Sequence, residues 1–288
     1  MTNLAASTDG PGPGSDEALA ERLAPRRADV TGIDRVGRLD PAEDFHEASR
    51  LYAGVVDPLV DGAARLDANS MLRAATGRAV KRHAGRPVFH LPEADFGSAS
   101  FADAVSRRRS SPGASSGSLT ISQLASVLHA AYGVTGTAAS GHTRRAAPSA
   151  GALYPLELYV TSARVDGLEP ALHHYDPLRH ELETLHPLER ADSLAPLTPY
   201  RELLATCAAA IVVCGVFWRS RFKYGQRGYR FALLEAGHVA QNVLLAASAL
   251  GLRAVPVGGF FDRRLDELID LDGLYESSLY ILPLWGSE

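Results

Sequence analysis

The sequence predicts an α+β fold, a sheet with antiparallel pairs built around a buried central helix. Three features carry that prediction. Ala208 to Phe217 is an almost unbroken apolar run of strand length, which suits a central strand covered on both faces. Tyr229 to Leu250 has helical length, is apolar nearly all round and is followed by Gly251, so it should lie in the middle of the protein. Ala171 to Tyr175 and Glu181 to Leu185 flank Asp176-Pro177, a turn pair, and so form a hairpin.

The remaining elements follow in chain order. Residues 1–15 hold the run Gly10-Pro11-Gly12-Pro13-Gly14, which buries little apolar surface. Residues 1–38 are therefore expected to be disordered, apart from a short helix at 16–24. From Pro41 the pattern turns helical, with Phe45, Ala48, Leu51 and Tyr52 on one face, and a second helix is expected from Ser70 to Arg82. Residues 39–95 are read as a helical leader and 96–288 as the main domain. In the main domain, Ser118-Leu119-Thr120-Ile121 opens a helix with Leu124, Val127, Leu128 and Ala131 inward and Gly133 at its end. Leu156 to Ser162 reads as a strand, Arg253 to Val257 as a strand, Asp262 to Leu271 as a helix, and Ser278 to Leu284 as the last strand.

Bulk properties narrow the function. The chain has 288 residues, 46% hydrophobic and 22% charged, with net charge −4. Nucleic-acid binders carry a basic excess that this chain lacks. No apolar run reaches the roughly 20 residues of a membrane span. Two cysteines and no basic-then-apolar N-terminal order point to a reducing cytoplasm. There is no Gly-x-Gly-x-x-Gly after a strand, no phosphate-loop motif and no Gly-x-Ser-x-Gly elbow. Cys207 and Cys214 lack zinc-ligand spacing and read as core residues. His173, His174, His180 and His186 read as exposed hairpin histidines rather than a metal site, and no metal is expected.

Five segments carry candidate chemistry. Arg107-Arg108-Arg109-Ser110-Ser111 follows a short helix; guanidinium groups grip phosphate in bidentate fashion and a hydroxyl adds a donor. Pro148-Ser149-Ala150-Gly151-Ala152-Leu153-Tyr154-Pro155 sets small residues between two prolines, a tight turn whose backbone a planar ligand can approach. Phe222 to Tyr229 is a loop between the buried strand and the long helix, and its Lys223 and Tyr224 are proton carriers. Glu235, His238 and Asn242 share one face of that helix, beside Gln241, and need partners if buried. Pro256-Val257-Gly258-Gly259-Phe260 ends a strand with two bare backbone N–H groups. Read singly, each of these has an ordinary structural alternative: a solvated face, a plain loop, or polar groups satisfying one another.

In this order the segments resemble the nitroreductase-like flavoproteins, and within them the SagB-type azoline dehydrogenases. Gly237-His238-x-x-Gln241-Asn242 and Phe45-His46-Glu47-Ala48-Ser49 belong to the likeness, which covers about residues 40–286. The resemblance implies an α+β sandwich that forms a homodimer with FMN at the subunit interface. It implies that Arg108 and Ser110 hold the FMN phosphate end, with Arg109 nearby, and that Pro148, Ser149, Ala150, Gly151 and Tyr154 border the isoalloxazine. It places Gly258 and Gly259 at the flavin N5 edge, Gln241 and Asn242 in the cofactor and interface region, and Lys223 and Tyr224 as the catalytic pair. Two positions depart from the pattern. Pro112 stands where many relatives have a second basic residue, whose contact Arg145 would supply, and Ala152 stands where many have an amide. The implied reaction is oxidation of thiazolines or oxazolines of a precursor peptide to azoles, alongside cyclodehydratase proteins. A flavin oxidase of another peptide or a cyclic dipeptide, and a flavin-poor scaffold subunit, are the other readings.

Overall fold

The computed structural model describes residues 41–51, 62, 64, 66, 68–77, 80–112, 117–139, 143–188 and 194–286. The segment expected to be disordered, residues 1–38, lies outside them. The chain divides into two units, residues 1–50 and 51–288. In the first, Pro41–Ala48 forms helix α1, with Glu43 and Asp44 in its first turn, where carboxylates oppose the helix dipole. Ser49 closes it by donating its hydroxyl to Phe45 O at 2.6 Å.

The second unit is built on a seven-stranded sheet. Its strands are β1 (Val88–His90), β5 (Leu156–Ser162), β7 (Ala171–Asp176), β8 (Glu181–Pro187), β9 (Ala209–Val216), β10 (Arg253–Ala254) and β11 (Glu276–Trp285). They lie in the order β1-β8-β7-β5-β9-β11-β10, and every pairing is antiparallel. Two small ribbons stand outside it, one of β2 (Leu119–Thr120) with β6 (Val165–Asp166) and one of β3 (Val134–Thr137) with β4 (Thr143–Arg145). The helices are α2 (Ser70–Gly77), α3 (Phe101–Arg107), α4 (Ile121–Tyr132), α5 (Arg201–Ala205), α6 (Trp218–Tyr224), α7 (Gln226–Ala249) and α8 (Asp262–Ile269).

The sheet separates two apolar cores, and strand periodicity explains how. Leu156, Leu158, Val160, Ile211, Val213, Leu282 and Leu284 join one core with Leu124, Leu128, Val239 and Val243 of α4 and α7. The alternate residues Tyr159, Ala210, Val212, Cys214, Ile281 and Trp285 join the other with Leu204, Leu265 and Ile269 of α5 and α8. A strand covered on both faces needs an apolar residue at every position, which is why 208–217 reads as an unbroken run. Each such side chain contributes roughly 1.5–3 kcal/mol by burial. Helix α4 begins with a capping box, in which Thr120 Oγ accepts from Gln123 N and Gln123 Oε1 accepts from Thr120 N.

Four expectations need correction. The hairpin histidines are not exposed: His173 and His174 are fully buried, because β7 lies inside the sheet rather than at its rim. Helix α7 is not covered all round. Its buried face runs through Ala232, Ala236, Val239, Ala240, Val243 and Ala247, while Leu233 and Leu234 on the opposite side are 41% and 56% exposed. The stretch 222–229 is not a loop. Helix α6 continues to Tyr224, Gly225 (φ 54°) turns the chain, and α7 starts at Gln226. The strand expected over 253–257 stops at Ala254, since Pro256 has no N–H to donate; Val257 then makes a lone bridge to Ile281.

Candidate functional site

The turn after β4 is closed by its own side chains. Tyr154 N–H donates to Ser149 Oγ at 2.9 Å, and Tyr154 Oη donates to Thr143 O at 3.0 Å while accepting from Arg145 N at 3.1 Å. Gly151, Ala152 and Tyr154 all have positive φ, at 64°, 54° and 46°. For the two non-glycine residues this is a costly conformation, held only because the surroundings over-determine it. Arg145 lies buried between two rings, its guanidinium 4.4 Å from the centroids of both Tyr132 and Tyr154. That stacking holds its guanidinium beside the turn.

Lys223 and Tyr224 end α6 and meet this turn. A Cβ placed on Gly151 would lie 2.5 Å from Tyr224 Oη and 3.1 Å from Lys223 Nζ. Both proton carriers therefore converge on the bare backbone of Gly151. Lys223 Nζ is 5.1 Å from the Tyr224 ring centroid, and the Tyr224 ring packs edge-on to Phe231 at 5.1 Å. From the other side the backbone at Gly62 presses on Lys223, where an added Cβ would come within 2.4 Å of Lys223 O.

Buried charge supports the turn from below. Glu157 is the second residue of β5 and Arg219 lies in the first turn of α6; Arg219 Nη2 binds Glu157 Oε1 at 2.6 Å, and Arg219 Nη1 reaches Tyr154 O at 3.5 Å. Burial alone would raise the Glu157 pKa, but the Arg219 charge and then the His174 hydrogen bond hold it down at about 2. His174 bridges two carboxylates, Nε2 to Glu157 at 2.8 Å and Nδ1 to Glu183 at 3.0 Å. Burial opposes its charge, and the bonds to Glu157 and Glu183 outweigh burial and lift the pKa to about 9. His173, without carboxylate partners, is pushed by burial down to about 4. On α7, Glu235 Oε1 accepts from Tyr132 Oη at 2.6 Å. Burial raises the Glu235 pKa to about 7, with the nearby hydroxyls and the charge of Arg145 pulling the other way.

A basic pocket of about 370 Å³ opens where α3 meets the C-terminal end of α7, lined by Arg107, Arg109, Ser111 and Arg253 among others. Arg108 Nη1 donates to Ser110 Oγ at 3.3 Å, Ser110 bridges to Ala254, and Arg253 Nη1 donates to Ser111 Oγ at 3.0 Å. Arg253 thus adds a cation beside the arginine run where Pro112 offers none. The other expected positions lie elsewhere. Gln241 is exposed on α7, and Asn242 lines a separate pocket with Phe96, Phe101 and Ala246. Gly258 is exposed in front of the Tyr280 ring, and Gly259 rests against Tyr200, its carbonyl accepting from Thr198 Oγ1 at 2.7 Å. Pro148 and Ala150 complete the turn without side-chain functions.

Sequence reasoning missed Arg253, Glu157, Arg219, Tyr132 and the buried role of His174. For Glu157 the signal was present: a carboxylate inside an apolar strand must have a partner. Arg219 was the nearest arginine C-terminal to the buried strand that could provide one.

An antiparallel sheet with a long helix on one core carries a strained small-residue turn and, meeting it, the Lys223-Tyr224 pair, an α+β arrangement. The chain belongs to the nitroreductase family, whose profile matches residues 105–286. That family comprises oxidoreductases that typically bind a flavin and commonly dimerise. The chain is 36% identical to the nitroreductase-type protein MJ1384 of Methanocaldococcus jannaschii over 63% of this chain and 88% of that protein. It is 34% identical to the microcin B17-processing protein McbC of Escherichia coli, over 46% of this chain and half of McbC. The solved E. coli microcin synthetase McbBCD complex, with truncated pro-MccB17 bound, includes a chain that matches 87% of this one at 26% identity, with 95% of that chain covered and a TM-score of 0.56. No helix among the described residues is long and apolar enough to cross a membrane.

Proposed function

We propose that this protein is an FMN-dependent dehydrogenase that oxidises thiazoline or oxazoline rings of a precursor peptide to thiazoles or oxazoles. The observation that carries the reading is the convergence of Lys223 Nζ and Tyr224 Oη on the backbone of Gly151. A planar ligand lying on that turn would have two proton carriers at one edge. The likeness to McbC, a peptide-processing protein, supports a peptide substrate.

The residues present fit FMN. Arg107, Arg109, Arg253 and the hydroxyls of Ser110 and Ser111 offer charge and donors to a phosphate. The Pro148–Tyr154 turn offers a flat, small-residue wall. Bound FMN would accept the hydride that the azoline ring loses. Lys223 or Tyr224 takes the proton that leaves with it, while Arg219 and Glu157 hold α6 against the turn so that these groups keep their place. The exposed Leu233–Leu234 face of α7 is the surface we assign to the homodimer contact, and cyclodehydratase proteins are the partners that would supply the azoline substrate.

The test has two stages. Absorption spectra of the purified protein before and after denaturation should show flavin bands and released FMN. An azoline-containing peptide should then lose two hydrogens per ring, and Lys223→Ala with Tyr224→Phe should lower that rate by at least the roughly 100-fold typical of a lost acid–base group while flavin stays bound. Full azoline oxidation by the double variant would overturn the base assignment, and a protein that neither carries nor takes up FMN would overturn the enzyme.

A further inference from the structure

We propose that His83, His174 and Glu183 form a binding site for a divalent transition ion of the zinc class. His174 on β7 and Glu183 on β8 are cross-strand partners, so their side chains stand on the same face of the sheet. His83 arrives from the segment that precedes β1, and its backbone N–H donates to Glu183 Oε2 at 3.2 Å. One ligand atom from each of the three residues lies within 4.8 Å of the other two. A zinc ion with bonds of about 2.0–2.2 Å would draw them together by roughly an ångström.

The surroundings suit such an ion. His174 Nε2 is held by Glu157 at 2.8 Å, which leaves Nδ1, 3.0 Å from Glu183 Oε2, to face the site. A carboxylate behind a histidine is the usual device that fixes the ring of a metal ligand and increases its basicity. His83 Nε2 is buried and has no hydrogen-bond partner among the described residues. Two imidazoles and one carboxylate form the borderline donor set that zinc favours, whereas calcium and magnesium take oxygen ligands. Three protein ligands leave one tetrahedral position, which water would fill. On binding, the ion replaces the proton between His174 Nδ1 and Glu183, and that proton passes to solvent. The ion would fasten residues 81–83 to the β7–β8 hairpin, where the N–H groups of Lys81 and His83 already bind Glu157 and Glu183.

The site does not depend on the flavin reading: zinc content and flavin colour are separate measurements. Full-length protein, stripped with chelator and titrated with zinc chloride, should retain one zinc per chain by mass spectrometry after gel filtration. Its zinc X-ray absorption should show scattering from two imidazoles. His83→Ala and Glu183→Gln should weaken retention by more than the roughly 10–100-fold that loss of an indirect partner causes. His90→Ala, at an exposed histidine, should leave it unchanged. Failure of the wild-type protein to retain zinc, an absorption spectrum without two imidazoles, or full retention by a folded His83→Ala variant would each overturn the proposal. The first two need no variant.

Discussion

Glu235 is a carboxylate on the buried face of α7 whose Oε1 accepts from Tyr132 Oη at 2.6 Å. Its pKa rises from an ordinary 4.5 to about 7. The folded protein therefore binds a proton between those values that the unfolded chain has released. The stabilisation contributed by the neutral side chain is complete below about pH 4.5 and is lost as pH rises through 7, a change of roughly 3 kcal/mol. Glu235→Gln removes the titration and keeps the shape, so urea melts at pH 4.5 and 8 should differ less in the variant than in the native protein. An unchanged difference would place the titration elsewhere. At this scale the sequence singled out Lys223, Tyr224 and Gly151, which the structure brings together, through the order of motifs they belong to. It did not reveal which polar residues are buried: His173 and His174 look like any hairpin pair until β5 and β8 are seen on either side of them.

Among the elements, the turn and α6 depend on each other. Gly151 has positive φ, and its missing side chain makes room for the ends of Lys223 and Tyr224. Gly151→Ala should cost about 1 kcal/mol or more of stability from backbone strain alone. It should also displace Tyr224 Oη, so activity is expected to fall by well over tenfold while the melting temperature drops by a few degrees. An alanine variant with native turnover would show that the convergence is incidental. Helix α6 was hidden in the sequence because Trp218 to Tyr224 has no apolar period and Gly225 and Gly228 follow closely. The glycines have a packing purpose. At Gly228 a Cβ would meet the Ser220 carbonyl carbon at 2.6 Å, and Ser220 Oγ donates to Gly228 O at 2.8 Å, so α6 and α7 touch backbone to backbone. The long apolar elements, β9 and α7, were legible because length and composition alone separate them. The two-residue strands β2, β6 and β10 are too short for any periodic signal.

For the whole molecule, the outer face of α7 is the open question that chemistry answers. Leu233 and Leu234 stand in water beside Gly237, His238 and Gln241, on a helix whose other side is core. Its sequence, apolar nearly all round, led to the expectation of a place in the middle of the protein; within one chain the side with Leu233 and Leu234 is left exposed, and a second chain would cover it. Leu234→Arg should convert a dimer to a monomer at micromolar concentration in analytical ultracentrifugation, with flavin retention reduced. A variant that sediments as the native protein does would move the contact to another surface. The sheet itself has a further property. Its long strands are interior, and its two margins are closed by β1 and β10, of three and two residues. An unpaired margin is where one chain templates another, and short strands offer too few N–H and C=O groups for that. The fold thus places its most β-branched strand, β9, between β5 and β11 along its length, where the backbone of a neighbouring molecule cannot pair with it.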